Sequence, residues 1–351
     1  MNEGLKKATI DGLNKRGKTE ILEQIQEPME EKQPKKNKVE SIEDLPGVGP
    51  ATAEKLKESG YDTLLSLSVA SPGELVEAGG LTEATARKVI NAARSSMGMG
   101  FESADELLEK RKNLLKVTTN SKAFDSLLGG GFEAGSITEC FGEFGSSKTQ
   151  IAHQLAVNVQ LPKEKGGGEG ICVYIDSEGA FRPERIKQMA EFLGLDVTQT
   201  LKNIKVARAF NSDHQMLLAE KVEDLIKEQG LNVKLVVVDS LMSHFRADFS
   251  GRGQLADRQQ KLNKHMHTLQ KLATAYNLVV YVTNQVMSKP DTFFGDPTAA
   301  IGGHIVGHNS QTRIYLRKGK KGTRVAKLID SPHLADGEIV FNIEETGVKD
   351  V

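Results

Sequence analysis

GEFGSSKT, Gly142 to Thr149, stands directly after the apolar run SITECF and directly before TQIAHQLAVNVQ, and this succession of strand, glycine-rich turn and helix decides the fold. A turn so placed presents successive backbone N–H groups and a helix N-terminus to phosphate oxygens. Gly142, Glu143, Phe144, Gly145, Ser146, Ser147, Lys148 and Thr149, with Gln150 behind them, are therefore the expected ATP-binding loop. Lys148 would bring positive charge to the β- and γ-phosphates, and the Thr149 hydroxyl would ligate Mg²⁺. The general pattern G-x-x-x-x-G-K-[ST] has glycine before the lysine, where this chain has Ser147. If that position takes a positive φ, a side chain there costs roughly 1–2 kcal/mol, recoverable through an added hydroxyl contact.

Working outward, ICVYID, KLVVVD and LVVYVT are further buried-strand runs alternating with helical segments, the pattern of a parallel sheet with crossover helices. QTRIYLR, TRVAKLID and GEIVFNI, joined by short turns, read as an antiparallel meander at the C-terminal edge. Asp239 ends KLVVVD and Glu178 follows VYIDS. A strand-end carboxylate is often only a turn former. Beside a phosphate loop, however, Asp239 can orient the Mg²⁺ shell, with an outer-shell contact the expected geometry, and Glu178 can polarise a water for in-line attack on the γ-phosphate.

The rest of the chain divides by composition. Residues 1–39 mix Lys and Glu with few apolar side chains and read as a disordered tail. Residues 40–97 hold short helical periods between glycine turns, LPGVGPATAEKLKESG and LVEAGGLTEATARKVINAARSSM, a compact all-helical unit with two similar halves. Residues 98–117 read as a linker with a short amphipathic helix, and 118–351 as the α/β core. With 38% hydrophobic and 26% charged residues and no long apolar run, the chain is not expected to span a membrane. The first residues hold no apolar secretory core, so an intracellular, cytoplasmic and nucleoid-associated site of action is expected. Cys140 and Cys172 lie in strands and match no zinc spacing. A net charge of -1 means that any nucleic-acid binding must come from local basic patches.

Taken together, GEFGSSKTQ, YIDSEGAFRPER, ARAFNSDHQ, VVVDSLMSHFRADFSGRGQLADRQQ, VTNQV and LIDSPHLADGE resemble the archaeal RadA recombinases of the RecA/RadA family, from about Ile42 to the end. The resemblance implies a RecA-type P-loop ATPase core behind a small helix-hairpin-helix domain. It also implies ATP-dependent homologous pairing and strand exchange by a filament on single-stranded DNA, with Mg²⁺ and K⁺ as candidate ions. In that family the positions of Lys148, Glu178 and Gln285 are catalytic, Gln285 sensing the γ-phosphate at the root of a DNA-binding loop. Arg185 matches an arginine that packs on the base, and Asp330 and Asp336 match acidic positions that reach a neighbour's nucleotide, Asp330 as a ligand to a monovalent cation. Two positions depart from the family: Ala335 stands for a proline and Ala180 for a threonine.

Arg246, Arg252 and Arg258, around the Ser-Gly-Arg-Gly turn, match the first DNA loop, and glycine-hinged arginines can follow a phosphate backbone without fixed base contacts. The second loop, Met287 to His308, is long and aperiodic. Gly302 and Gly303 resemble its DNA-contacting glycine pair, while Phe293 and Phe294 either wedge between bases or pack on the core. LPGVGPATAEKL resembles a helix-hairpin-helix with Gly47 and Gly49 in the hairpin, suited to a duplex phosphate or to a protein partner. The basic run RKGKKGTR reads as a solvated hairpin tip. Phe101 and Ala104 resemble the F-x-x-A element that joins one subunit to the next, with Ala207 and Ala209 in the receiving pocket. Single-stranded DNA, duplex DNA, further copies of the chain and recombination accessory proteins are the implied partners. Two rivals stand beside this reading: a hexameric RecA-fold helicase, and a regulatory paralogue that binds ATP and proteins without exchanging strands.

Overall fold

The computed structural model describes residues 41–97, 100–288 and 298–351. The expected tail and both Phe293 and Phe294 lie outside these residues.

The N-terminal unit consists of a 3-10 turn at Ile42–Asp44 followed by α1 (Pro50–Glu58), α2 (Leu64–Val69), α3 (Pro72–Gly79) and α4 (Glu83–Ser96). Thr63, Ser71 and Thr82 start the last three helices by accepting an N–H from the third residue onward, which satisfies an otherwise orphaned donor. Ile42, Leu56, Leu67, Leu75 and Val89 form its core. Gly47 sits at φ +94°, a conformation that favours glycine.

α5 (Ala104–Lys112) is capped by Ser103 and Glu106. Among the described residues it buries none of its own side chains, and Leu107 and Leu108 on the apolar side expected of the linker helix are exposed. β1 (Lys116–Val117) pairs antiparallel with β2 (Phe132–Glu133) across α6 (Lys122–Leu127), so the last linker residues pair within the core.

The core continues as β3 (Ile137–Gly142), α7 (Lys148–Asn158), β4 (Ile171–Asp176), α8 (Pro183–Phe192), α9 (Val197–Lys202), β5 (Ile204–Arg208), α10 (Ser212–Lys227) and β6 (Val233–Asp239). Next come α11 (Ser243–Asp248), α12 (Leu255–Tyr276), β7 (Val279–Asn284), β8 (Val286–Ser288), β9 (Thr298–Ala300) and α13 (Gly303–Asn309). β10 (Thr312–Lys318), β11 (Arg324–Asp330), β12 (Gly337–Glu344) and β13 (Gly347–Asp350) complete the chain.

Among the described residues the main sheet has nine strands in the order β13-β12-β11-β10-β3-β7-β6-β4-β5, with β10 through β5 parallel and the C-terminal meander antiparallel. Side chains alternate across the sheet, so Tyr174, Val237 and Tyr281 join one core layer while Ile175, Val238 and Val282 join the other. Parallel pairing brings the C-terminal ends of β3, β7, β6 and β4 to one edge, in register at Phe141↔Asn284 and Asp176↔Asp239. That edge is where ligands bind in open α/β sheets. Two strands of this sheet were not evident from the sequence: edge strand β5, whose residues are mostly exposed, and the short β13.

Among the described residues, both expected DNA loops contain regular elements. Arg246 lies in α11, Arg252 opens a 3-10 turn, and Arg258 lies in the first turn of α12. Within 287–308, β8 and β9 pair as a ribbon and Gly303–Asn309 is helical, so the aperiodic stretch is shorter than its glycine content implied.

Candidate nucleotide and DNA site

The phosphate loop turns sharply because Gly142 is packed against β10: a Cβ there would lie 2.0 Å from the Leu316 carbonyl oxygen. Ser147 stands at φ 81°, ψ 18°, as expected of the position glycine usually occupies, and carries the associated strain of roughly 1–2 kcal/mol. Lys148 Nζ donates to the carbonyls of Gly142 (2.8 Å) and Glu143 (2.9 Å), and burial lowers its pKa. Glu143, Phe144 and Gly145 are exposed, Ser146 is buried, and Gln150 is half-buried.

Thr149 Oγ1 donates to Asp239 Oδ2 at 2.8 Å. The same carboxylate accepts from the Tyr174 hydroxyl at 2.7 Å and from the Thr283 hydroxyl, and it is 2% exposed. Three hydroxyl donors thus hold a buried acid in one orientation. The donor set is hard oxygen, the chemistry that suits Mg²⁺: Thr149 would be the direct ligand, with Asp239 acting through it. Burial, reinforced by Asp239, raises the pKa of Tyr174 well above its usual value, keeping it a donor.

Glu178 and Gln285 meet across the site, Gln285 Nε2 donating to Glu178 Oε1 at 2.9 Å. Asp176 builds the turn that presents Glu178: its Oδ1 accepts the N–H groups of Glu178, Gly179 and Ala180, and its Oδ2 that of Phe181. On the other side, Asn284 Oδ1 accepts the Gln285 N–H at 2.9 Å, while its Nδ2 donates to Glu139 at 2.7 Å and to the Ile301 carbonyl. Glu139 is fully buried and pairs with Arg313 at 2.7 Å. Asp176, Tyr174, Thr283 and Asn284 are not distinguished by the sequence: Asp176 binds backbone N–H groups, while Asp239, the partner of Tyr174 and Thr283, and Glu139, the partner of Asn284, lie far along the chain from them.

Arg185 is tied to Gln150 at 2.8 Å and to the carbonyls of Glu344 and Glu345 between β12 and β13. Asp330 and Asp336 are exposed, and the described residues hold no cluster of three or more His, Cys, Asp or Glu that could bind a metal ion.

Arg246 lines a cavity of about 290 Å³ together with Ser240, Met242, Ser243, Gln285 and Ile301, which joins the first loop, the second loop and the end of β7. Gly302 and Gly303 open α13 beside it. Gly47 and Gly49 are on the N-terminal unit, Gly49 at the start of α1. Phe101 is fully exposed and Ala104 starts α5. On edge strand β5, which pairs with β4 on its inner side, Ala207 is half-buried beside exposed Val206, and Phe210 beyond the strand is exposed; Ala209 is 1% exposed and belongs to the chain's own core, not to an open surface. Cys140 and Cys172 are free and buried, and burial pushes the Cys140 thiol up to about 12.

The sequence profile described as Rad51 matches residues 110–351. The chain belongs to the Rad51 family. A SAM-like helix-hairpin-helix tandem matches residues 39–95, in keeping with the two similar halves of the N-terminal unit. The chain is similar to the DNA repair and recombination protein RadA of Aeropyrum pernix, at 52% identity over 315 residues, covering 90% of this chain and 98% of that relative. As a Rad51-family member it carries the RecA-type core that the phosphate loop and sheet order describe. No helix among the described residues is long and apolar enough to cross a membrane.

Proposed function

We propose that this chain is an ATP-dependent recombinase of DNA repair and recombination, which polymerises on single-stranded DNA and catalyses homologous pairing and strand exchange. The observation that carries the reading is the Glu178–Gln285 contact, which joins the hydrolytic end of the sheet to the cavity that Arg246 and the root of the second loop share.

ATP is the nucleotide. The loop N–H groups and Lys148 bind its phosphates, while Glu178 orients and deprotonates the attacking water. Thr149, oriented by Asp239, would hold Mg²⁺, which would supply charge neutralisation for phosphoryl transfer. Gln285 exchanges its bond to Glu178 for one to the γ-phosphate, which couples nucleotide state to the loop beyond it. Arg185 offers a guanidinium plane to the base. Arg246, Arg252, Arg258, Gly302 and Gly303 follow single-stranded DNA, and the hairpin at Gly47 and Gly49 holds duplex.

Filament growth uses exposed Phe101 and the free edge of β5, the surface a neighbour's linker strand would extend. At that contact Asp330 and Asp336 face the next subunit's phosphates, where K⁺ would share them. Accessory proteins that load and remove such a filament are further partners, and the protein acts in the nucleoid.

Fluorescence anisotropy of a labelled oligonucleotide tests this reading. Tight binding with a non-hydrolysable ATP analogue and weak binding without it supports nucleotide gating, whereas equal binding in both conditions removes the proposed coupling.

A further inference from the structure

The basic run RKGKKGTR, Arg317 to Arg324, has no part in the mechanism above. It forms the connection between β10 and β11, and its far end lies against the phosphate loop. Arg324 Nε donates to the Gly145 carbonyl at 3.1 Å and to Ser147 Oγ at 3.0 Å. Its Nη1 donates to the carbonyls of Gly322 at 2.6 Å and Thr323 at 2.9 Å. One planar guanidinium therefore ties the hairpin to the loop. From the opposite arm, Lys318 lies over Gly145: a Cβ there would meet Lys318 Cε at 3.1 Å.

Ser147 gives this contact its meaning. The residue is in the left-handed region, where glycine rests without strain and serine does not, and its side chain makes no hydrogen bond to its own helix. Its hydroxyl oxygen accepts from Arg324 Nε. A charged donor makes a stronger bond than a neutral one. The fork also reaches the loop and the hairpin together, which the single ammonium of lysine cannot do.

We propose that Arg324 is a positioning residue for the phosphate loop, and that Ser147 and Arg324 act as one unit: the arginine holds the serine in its left-handed conformation and thereby fixes the Gly145–Ser147 backbone for phosphate binding. The proposal rests on the loop being the nucleotide site. Glycine at this position would need no such clamp, so the dependence on Arg324 is tied to the serine.

The test is titration of fluorescent N-methylanthraniloyl-ADP with Mg²⁺, with thermal midpoints measured alongside. Arg324→Ala weakens binding about tenfold. Ser147→Ala does the same, because it keeps the strained Cβ and removes the acceptor. Combined, the two lose about as much as either alone, since coupled residues are non-additive. In the Ser147→Gly background, Arg324→Ala costs less than about twofold, because no strained side chain remains to be held. Arg324→Lys retains charge and stem, serves as the comparison if the alanine variant folds poorly, and does not restore binding.

Native-like affinity in Arg324→Ala, or independent losses multiplying to about a hundredfold in the double variant, overturns the proposal. Lys148→Ala separates the two levels. If labelled ADP binds it as tightly as the native chain, the nucleotide reading of the loop is what fails.

Discussion

Gln285 Nε2 sits 2.9 Å from Glu178 Oε1, so an amide from the end of β7 holds the carboxylate that follows β4. The strands that carry them are separated in the sheet by β6, whose terminal Asp239 takes Thr149 of the phosphate loop. The phosphate loop, the proposed base and the root of the second loop are thus neighbours on one sheet edge.

Glu178→Gln keeps the size and hydrogen-bonding reach of the side chain but removes the base. ATP hydrolysis should fall about 10²-fold or more while ATP binding persists, which traps the DNA-bound filament. Steady-state ATPase assays with single-stranded DNA, alongside filament lifetime, check this. Hydrolysis within a few-fold of native would exclude Glu178 as the base.

Asp239 keeps its orientation through hydroxyl donors, and Tyr174→Phe deletes one of them without changing shape. Loss of a bond to a charged, buried acceptor costs about 2 kcal/mol. An unfolding free energy lowered by that amount in denaturant titration, with a higher Mg²⁺ concentration needed for half-maximal hydrolysis, is the expected result.

His153 and His265 are both buried, and burial, aided for His153 by Arg185, pushes each down to about 4. An unfolded histidine titrates near 6.5, so between those values the unfolded chain binds more protons. Their contribution is fully present above about pH 6.5 and is lost as pH falls toward 4, at up to about 1.4 kcal/mol per pH unit for each. Urea unfolding at pH 7.5 and pH 5 should show a drop of about 2 kcal/mol per histidine, and His265→Gln should remove half of it. A flat profile contradicts this.

Phe101 is fully exposed, so Phe101→Glu alters no packing among the described residues. The variant should stay folded by circular dichroism and lose higher assemblies in light scattering. Unchanged particle size would remove Phe101 from the contact.

The phosphate loop, the parallel strands and both carboxylates were legible in the sequence because each depends on a few consecutive residues and a change of hydrophobic period. Asp176 escaped notice because its four N–H partners are backbone groups, invisible as a motif. Tyr174 and Thr283 escaped because only sheet order aims them at Asp239, and Asn284 because its partners Glu139 and Ile301 lie elsewhere in the chain. β5 escaped because an edge strand with exposed Lys205, Val206 and Arg208 lacks the continuous apolar run of its buried neighbours. The hairpin run RKGKKGTR looked merely solvated, since Arg324 meets Ser147 only after a separation of 177 residues has been closed.

Strand exchange between a fluorescent single strand and its homologous duplex, with Mg²⁺ and ATP, tests the central claim most directly. The native chain should transfer the strand to homologous but not to unrelated duplex, and Lys148→Ala should abolish transfer. Binding of DNA and ATP without any homology-dependent exchange, or exchange that survives Lys148→Ala, would contradict it.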